Sequence, residues 1–105
     1  MNPCVRIREE LAKAVEQVYR YFAMDAPPPY AVWAEERGEQ LWSDNKPSGR
    51  IHGGTVDYFP MEEPDPAVSR IEEALTRADA SWRLNSIQFE EENGLIHYEW
   101  VWEVV

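Results

Sequence analysis

Apolar residues change period along this chain, and the changes divide it into elements. From Val5 to Phe22, Ile7, Leu11, Val15, Val18 and Phe22 recur at steps of four, four, three and four. That is the stripe of an amphipathic helix, leaving Arg8, Glu9, Lys13, Glu16 and Arg20 for solvent. Asn2-Pro3 can start it, and Pro27-Pro28-Pro29 must stop it, since proline removes donors and forces extended backbone. Tyr30 to Glu36 then reads as a short strand, with Tyr30, Val32 and Ala34 on one face and Ala31 and Trp33 on the other. The stretch Leu41 to Gly49 holds too many turn formers to be regular. A connection of about a dozen residues exceeds the usual hairpin loop, which marks it as mobile or functional.

Strand character resumes from Arg50 to Phe59, where Gly53-Gly54 implies a bulge or a close backbone approach, and Pro60 ends it. Asp65-Pro66 opens a second helix, Asp as the cap and Pro in the first turn. Its stripe is Val68, Ile71, Leu75 and Ala78. Glu62, Glu63 and Asp65 lie near its positive end and Arg77 near its negative end. The last quarter is a β-hairpin. In its second arm Ile96, Tyr98, Trp100, Trp102 and Val104 alternate with His97, Glu99 and Glu103. The first arm, Trp82 to Glu90, joins it through Glu92-Asn93-Gly94. Trp82 and Leu84 have one parity and Ile87 and Phe89 the other, so an extra residue at Asn85-Ser86, a β-bulge, would bring all four to one face.

The order helix, strand, strand, helix, strand, strand implies a single α+β domain over residues 1–105. The expected architecture is a two-layer sandwich, a mostly antiparallel four-stranded sheet with both helices on one face. Trp82, Leu84, Ile87, Phe89, Tyr98, Trp100 and Trp102 are expected to meet Ile7, Leu11, Val15, Ile71 and Leu75 there. Apolar content of 44% in 105 residues is enough for one such core.

Charge narrows the functional classes. Ten basic against twenty acidic side chains give a formal charge of -10, which repels a polyanion and argues against coating DNA. Cys4 is the one cysteine and cannot form an internal disulfide. With no apolar leader at the N-terminus and no run of about 20 apolar residues, the default expectation is a reducing cytoplasm and no membrane contact. His52 and His97 could join Glu99 or Asp57 around a metal, but both read as solvated histidines on the polar face of strands, in no zinc-motif spacing. Cys4 as a nucleophile would need a base and an oxyanion hole, and it sits where a terminus frays. The acidic pairs and triplet, Glu35-Glu36, Glu62-Glu63 and Glu90-Glu91-Glu92, read as solvated repulsive runs rather than converging carboxylates. Gly49 and Gly53-Gly54 form no phosphate loop, since no Gly-Lys-Ser/Thr follows. The residues therefore nominate no catalytic group, metal ligand or cofactor site.

Five tryptophans remain to be placed. Trp33, opposite Val32, and Trp42, in the polar loop, are candidates for a protein interface, which favours aromatic anchors; Trp42 folding back onto the sheet edge is the alternative. With Asp44, Asn45, Lys46 and Arg50 they make up the expected subunit contact.

The runs Tyr30 to Glu36, Asp44 to Lys46, Gly54 to Phe59, Ser81 to Glu90 and Gly94 to Trp100 resemble small structural proteins of tailed phages and prophages of Gram-positive bacteria. The element order is similar to that of tail terminator proteins, which complete the tail and join it to the head. The resemblance implies a non-enzymatic subunit of a hexameric ring on the tail tube, assembled in the host cytoplasm and located in the virion tail. Its partners would be further copies, the tail tube protein and the head connector or stopper protein, with duplex DNA passing through without specific binding. Head-completion and other minor tail proteins of similar size share these features. Two readings come from other classes, a small enzyme or ligand-binding α+β domain, for which the sequence offers no converging polar trio, and an acidic adaptor that mimics DNA; gene neighbourhood would separate them from the ring reading.

Overall fold

The computed structural model describes residues 4–36 and 52–104. Its elements are α1 (Cys4–Ala14), β1 (Val18–Arg20), β2 (Tyr30–Glu36), β3 (His52–Phe59), α2 (Ala67–Arg77), β4 (Ser81–Glu90) and β5 (Leu95–Val104). The class is α+β, as expected. The sheet is five-stranded in the order β1-β2-β3-β5-β4 and mixed, because β1 runs parallel to β2 while every other pair is antiparallel. The pattern of the sequence implies four antiparallel strands, and β1 is the correction.

β1 exists because α1 stops early. The periodic stripe continues to Phe22, but the helix ends at Ala14 and Phe22 is exposed. Val18-Tyr19-Arg20 is β-branched and aromatic, which suits a pleated edge better than a helix. Gln17 holds the switch in place. Its backbone carbonyl accepts from Ala31 N–H, and its side-chain Nε2 donates to the carbonyls of Pro27 and Pro29. A proline run brings carbonyls without donors, and one glutamine amide satisfies two of them. Val18 still packs on the core, now from a strand.

α2 starts as its sequence implies: Asp65 Oδ1 accepts from Ala67 N–H at 2.8 Å while Oδ2 accepts from the Tyr58 hydroxyl at 2.6 Å. The two helices also cap each other. Arg70 Nε donates to Ala14 O at 3.0 Å at the end of α1, and Arg6 donates to Arg77 O at 2.8 Å at the end of α2. Between them Glu10, nearly buried, accepts from Arg77 Nε at 2.8 Å and Lys13 Nζ at 3.3 Å. The Arg77 hydrogen bond is the main reason its carboxyl is held below the ordinary range.

Both helices cover one face of the sheet. Ile7, Leu11, Val15, Ile71 and Leu75 meet Ala31, Trp33, Val56, Tyr58, Trp100 and Trp102 there. Trp33 thus lies opposite Val32, as its parity requires, but on the buried face, 4% exposed. Cys4 likewise joins the core instead of fraying. The Gly53-Gly54 pair marks a close approach and not a bulge, since β3 keeps continuous register with both neighbours. A Cβ on Gly54 would stand 1.9 Å from the Ala34 carbonyl oxygen and 2.7 Å from the Trp102 ring. Only glycine fits between that strand and that indole. Trp42, Asp44, Asn45, Lys46 and Arg50, and the Leu41–Gly49 connection, lie outside the described residues.

Candidate interaction surface

The β4–β5 hairpin carries the expected bulge. Leu84 pairs with Trp100 and Ser86 with Glu99, so Asn85 is the extra residue and its amide Nδ2 donates to Glu99. Trp82, Leu84, Ile87 and Phe89 consequently share the helix-side face with Tyr98, Trp100 and Trp102. The expected common core fails along β4, however. Trp100 is fully buried, whereas Leu84, Ile87 and Phe89 are 39%, 56% and 62% exposed. Position across the sheet explains this. Leu84 pairs with the buried Trp100, and Ile87 lies level with Tyr98 and the buried Tyr58, so exposure grows sideways towards β4, the last strand, beyond the cover of the helices. The fold is long, 44 × 26 × 23 Å.

β4 is also the last strand of the sheet, and its outer edge has no neighbour among the described residues. Its ten residues include no proline and no lysine, so of the usual protections of an open edge it carries the bulge at Asn85 and the charges of Arg83 and Glu90. At the other end of the sheet, Tyr21, Phe22 and Met24 follow β1 directly and are 53%, 64% and 71% exposed. Two unlike apolar patches thus stand at the two ends of one sheet.

The face away from the helices holds a row of rings. Tyr19 meets Tyr30 edge-on at 6.2 Å, Tyr30 stacks on Phe59 at 4.8 Å, and Phe59 stacks on His97 at 4.4 Å. His97 Nε2 lies 2.7 Å from Asp57 Oδ1 and its Nδ1 lies 3.4 Å from Glu90. Burial holds the Asp57 carboxyl above the ordinary range, with the His97 hydrogen bond working against it. An imidazole on a carboxylate is half of a hydrolase relay, but no hydroxyl or thiol nucleophile bonds to it among the described residues. Of the two histidines expected on the polar face, His97 is there, while His52 pairs with Val104, which belongs to the opposite face. The pairing of β3 with β5, which brings Asp57 to His97, has no local signal in the sequence.

Other reactive groups are held quiet. Burial, assisted by the nearby Glu35 carboxylate, pushes the Cys4 thiol up to about 11, so it stays protonated at neutral pH. An open groove between the end of α1 and the start of α2 is lined in part by Lys13, Tyr58, Asp65 and Arg70. There burial and the Asp65 hydrogen bond raise the Tyr58 phenol above its ordinary value, which keeps it a donor. Tyr98, bonded to Glu63, is likewise pushed up to about 12, chiefly by burial. Among the described residues no group of three or more His, Cys, Asp and Glu could hold a metal ion, and no helix is long and apolar enough to cross a membrane. No protein-family model matches this chain, and no curated protein matches it.

Proposed function

We propose that this chain is a structural subunit of a phage tail, a terminator-type protein that closes the head-proximal end of the tail tube as a ring of like copies. The observation that carries the reading is the uncovered face of β4, where Ile87 and Phe89 are more than half exposed on a sheet edge that is open among the described residues. Exposed large apolar groups gathered on one projecting element favour an assembly surface over a solvated one. The second apolar patch, at Tyr21, Phe22 and Met24, adds support, because a closed ring joins unlike patches head to tail. Of the runs that resemble tail proteins, Ser81 to Glu90 and Gly94 to Trp100 coincide with β4 and the start of β5, the hairpin that carries this surface.

Interface residues are reassigned accordingly. Trp33 is a core residue, and the apolar anchors of this reading are Leu84, Ile87 and Phe89. Tail tube protein and the head connector remain the proposed partners, with DNA a passenger that the acidic chain does not hold.

The test uses tail tubes assembled from the tube protein encoded in the same gene cluster. Addition of this protein should stop their growth and leave a ring at one end in electron micrographs. Tubes of unchanged length with bare ends would refute the reading.

A further inference from the structure

The open edge of β4 has a register in which it complements itself. Two copies of β4 laid antiparallel about a two-fold axis through Ile87 place Leu84 opposite Phe89 of the second copy, and Phe89 opposite its Leu84. All three side chains lie on the helix-side face, because the extra residue Asn85 resets the alternation between Leu84 and Ile87. The same register sets Arg83 opposite Glu90 of the second copy, both on the other face. Asn85-Ser86, the bulge, falls opposite Gln88. A shift by one residue in either direction would set apolar against polar faces.

The charges fit this register in particular. Arg83 and Glu90 are the two charged residues of β4, one near each end. Arg83 is exposed and reaches no carboxylate among the described residues; its guanidinium donates to Asn85 Oδ1 at 3.3 Å. A chain with twice as many acids as bases has one basic group on this edge, and the two-fold axis carries it to an acid. Opposite charges placed directly across two strands are favourable, and like charges there are not. The apolar patch closes on itself in the same step, with two copies of Leu84, Ile87 and Phe89 forming one continuous strip.

We propose that in free solution this protein pairs with a second copy of itself through β4, joining two five-stranded sheets into one of ten strands. The pairing occupies the open edge, which would otherwise be available to strands of another chain. A two-fold contact closes with two copies and cannot by repetition build a six-membered ring. It therefore belongs to the free subunit, and the hairpin is released when the subunit reaches the tail.

The contact is small and falls at the weak end of protein interfaces, so mass is best measured at roughly 100 µM and physiological salt. The wild type should have the mass of two copies and Arg83→Glu that of one. Arg83→Glu combined with Glu90→Arg should return to two, with circular dichroism confirming that each variant is folded. Ile87→Cys should cross-link to its own counterpart under mild oxidation, with little background from the buried Cys4. A single-copy mass for the wild type overturns the proposal. So does a dimer that survives Arg83→Glu and shows no cross-link in the Ile87→Cys variant. A larger ring in solution without that cross-link also overturns it and assigns β4 to an unlike surface. The tail-tube experiment reads separately: a chain that pairs through β4 yet leaves tubes bare would sink the ring reading alone.

Discussion

One sheet carries two kinds of surface, and β5 passes through both. At Trp100 and Trp102 its helix-side face is sealed under α1 and α2, while at Ile96 and Tyr98 it is only half-buried, beside the exposed Ile87 and Phe89. Alternation and residue types are alike in the two regions. The difference is distance across the sheet from the helices, which cover the buried Tyr58 of β3 but not Ile87, its counterpart on the far side of β5. Identical local patterning is therefore sealed where a second layer lies above it and left exposed where none does.

Substitutions in the two halves should separate most widely for the large aromatic residues. Trp100→Ala removes a fully buried indole whose Nε1 donates to Glu72 at 3.0 Å, and should lose about 3–5 kcal/mol of unfolding free energy in denaturant titration. Phe89→Ala, 11 residues earlier on the same face, should change it by less than about 1 kcal/mol. Equal losses would mean that the hairpin is core throughout.

Gly54→Ala sharpens the covered half. A methyl group there must displace the Ala34 carbonyl or the Trp102 ring, for a loss of about 3 kcal/mol, the upper end for overpacking. Gly94→Ala, in the hairpin turn at φ +71, meets nothing within 4 Å and should lose only the smaller cost of a left-handed alanine, about 1–2 kcal/mol. The reverse ranking in thermal melts would put the tight contact in the wrong place.

Asp57 probes the face without helices. Its folded pKa is raised, so burial penalises the charged form, and the penalty operates above that value and vanishes below the ordinary 3.8. Asp57→Asn, which keeps an acceptor for His97, should raise the melting temperature at neutral pH, with the gain shrinking as pH falls towards 3.8. Glu10 has the opposite sign: its lowered pKa supplies stability above its ordinary value of 4.5 that fades as pH drops through the folded one. Glu10→Gln should therefore destabilise at neutral pH and progressively less in acid. A pH-independent difference in either variant would contradict the assignment.

The smallest effect expected is none at all. With a formal charge of -10, the isolated protein should show no affinity for duplex DNA even at low salt, where a phosphate-binding protein gains orders of magnitude. Salt-sensitive binding in a filter or anisotropy assay would remove the passive-channel reading.

What the sequence made legible was local. α2 with its Asp65 cap, the Gly94 turn and the bulge at Asn85 follow from chemistry within a few residues. β1 was hidden because Val15, Val18 and Phe22 keep helical spacing while the chain gains more by adding a strand to β2. Trp33 was misassigned because a strand apolar on both faces does not say which face is covered. Exposure at Leu84, Ile87 and Phe89 was invisible for a related reason: parity reports a shared face, and only the strand's place in the sheet under the helices reports burial. Of the expected interface, Trp33 proved to be core, and the other five residues lie outside the described ones.

The proposed division of the sheet into a covered, stabilising part and an associating edge is tested most directly by amide hydrogen exchange along β4 and β5 at rising protein concentration. Amides of Arg83 to Glu90 that face the open edge should exchange quickly when dilute and slow markedly when concentrated, while those around Trp100 and Trp102 stay equally protected throughout. Protection in β4 that is already complete in dilute solution, or that never changes with concentration, would contradict the account.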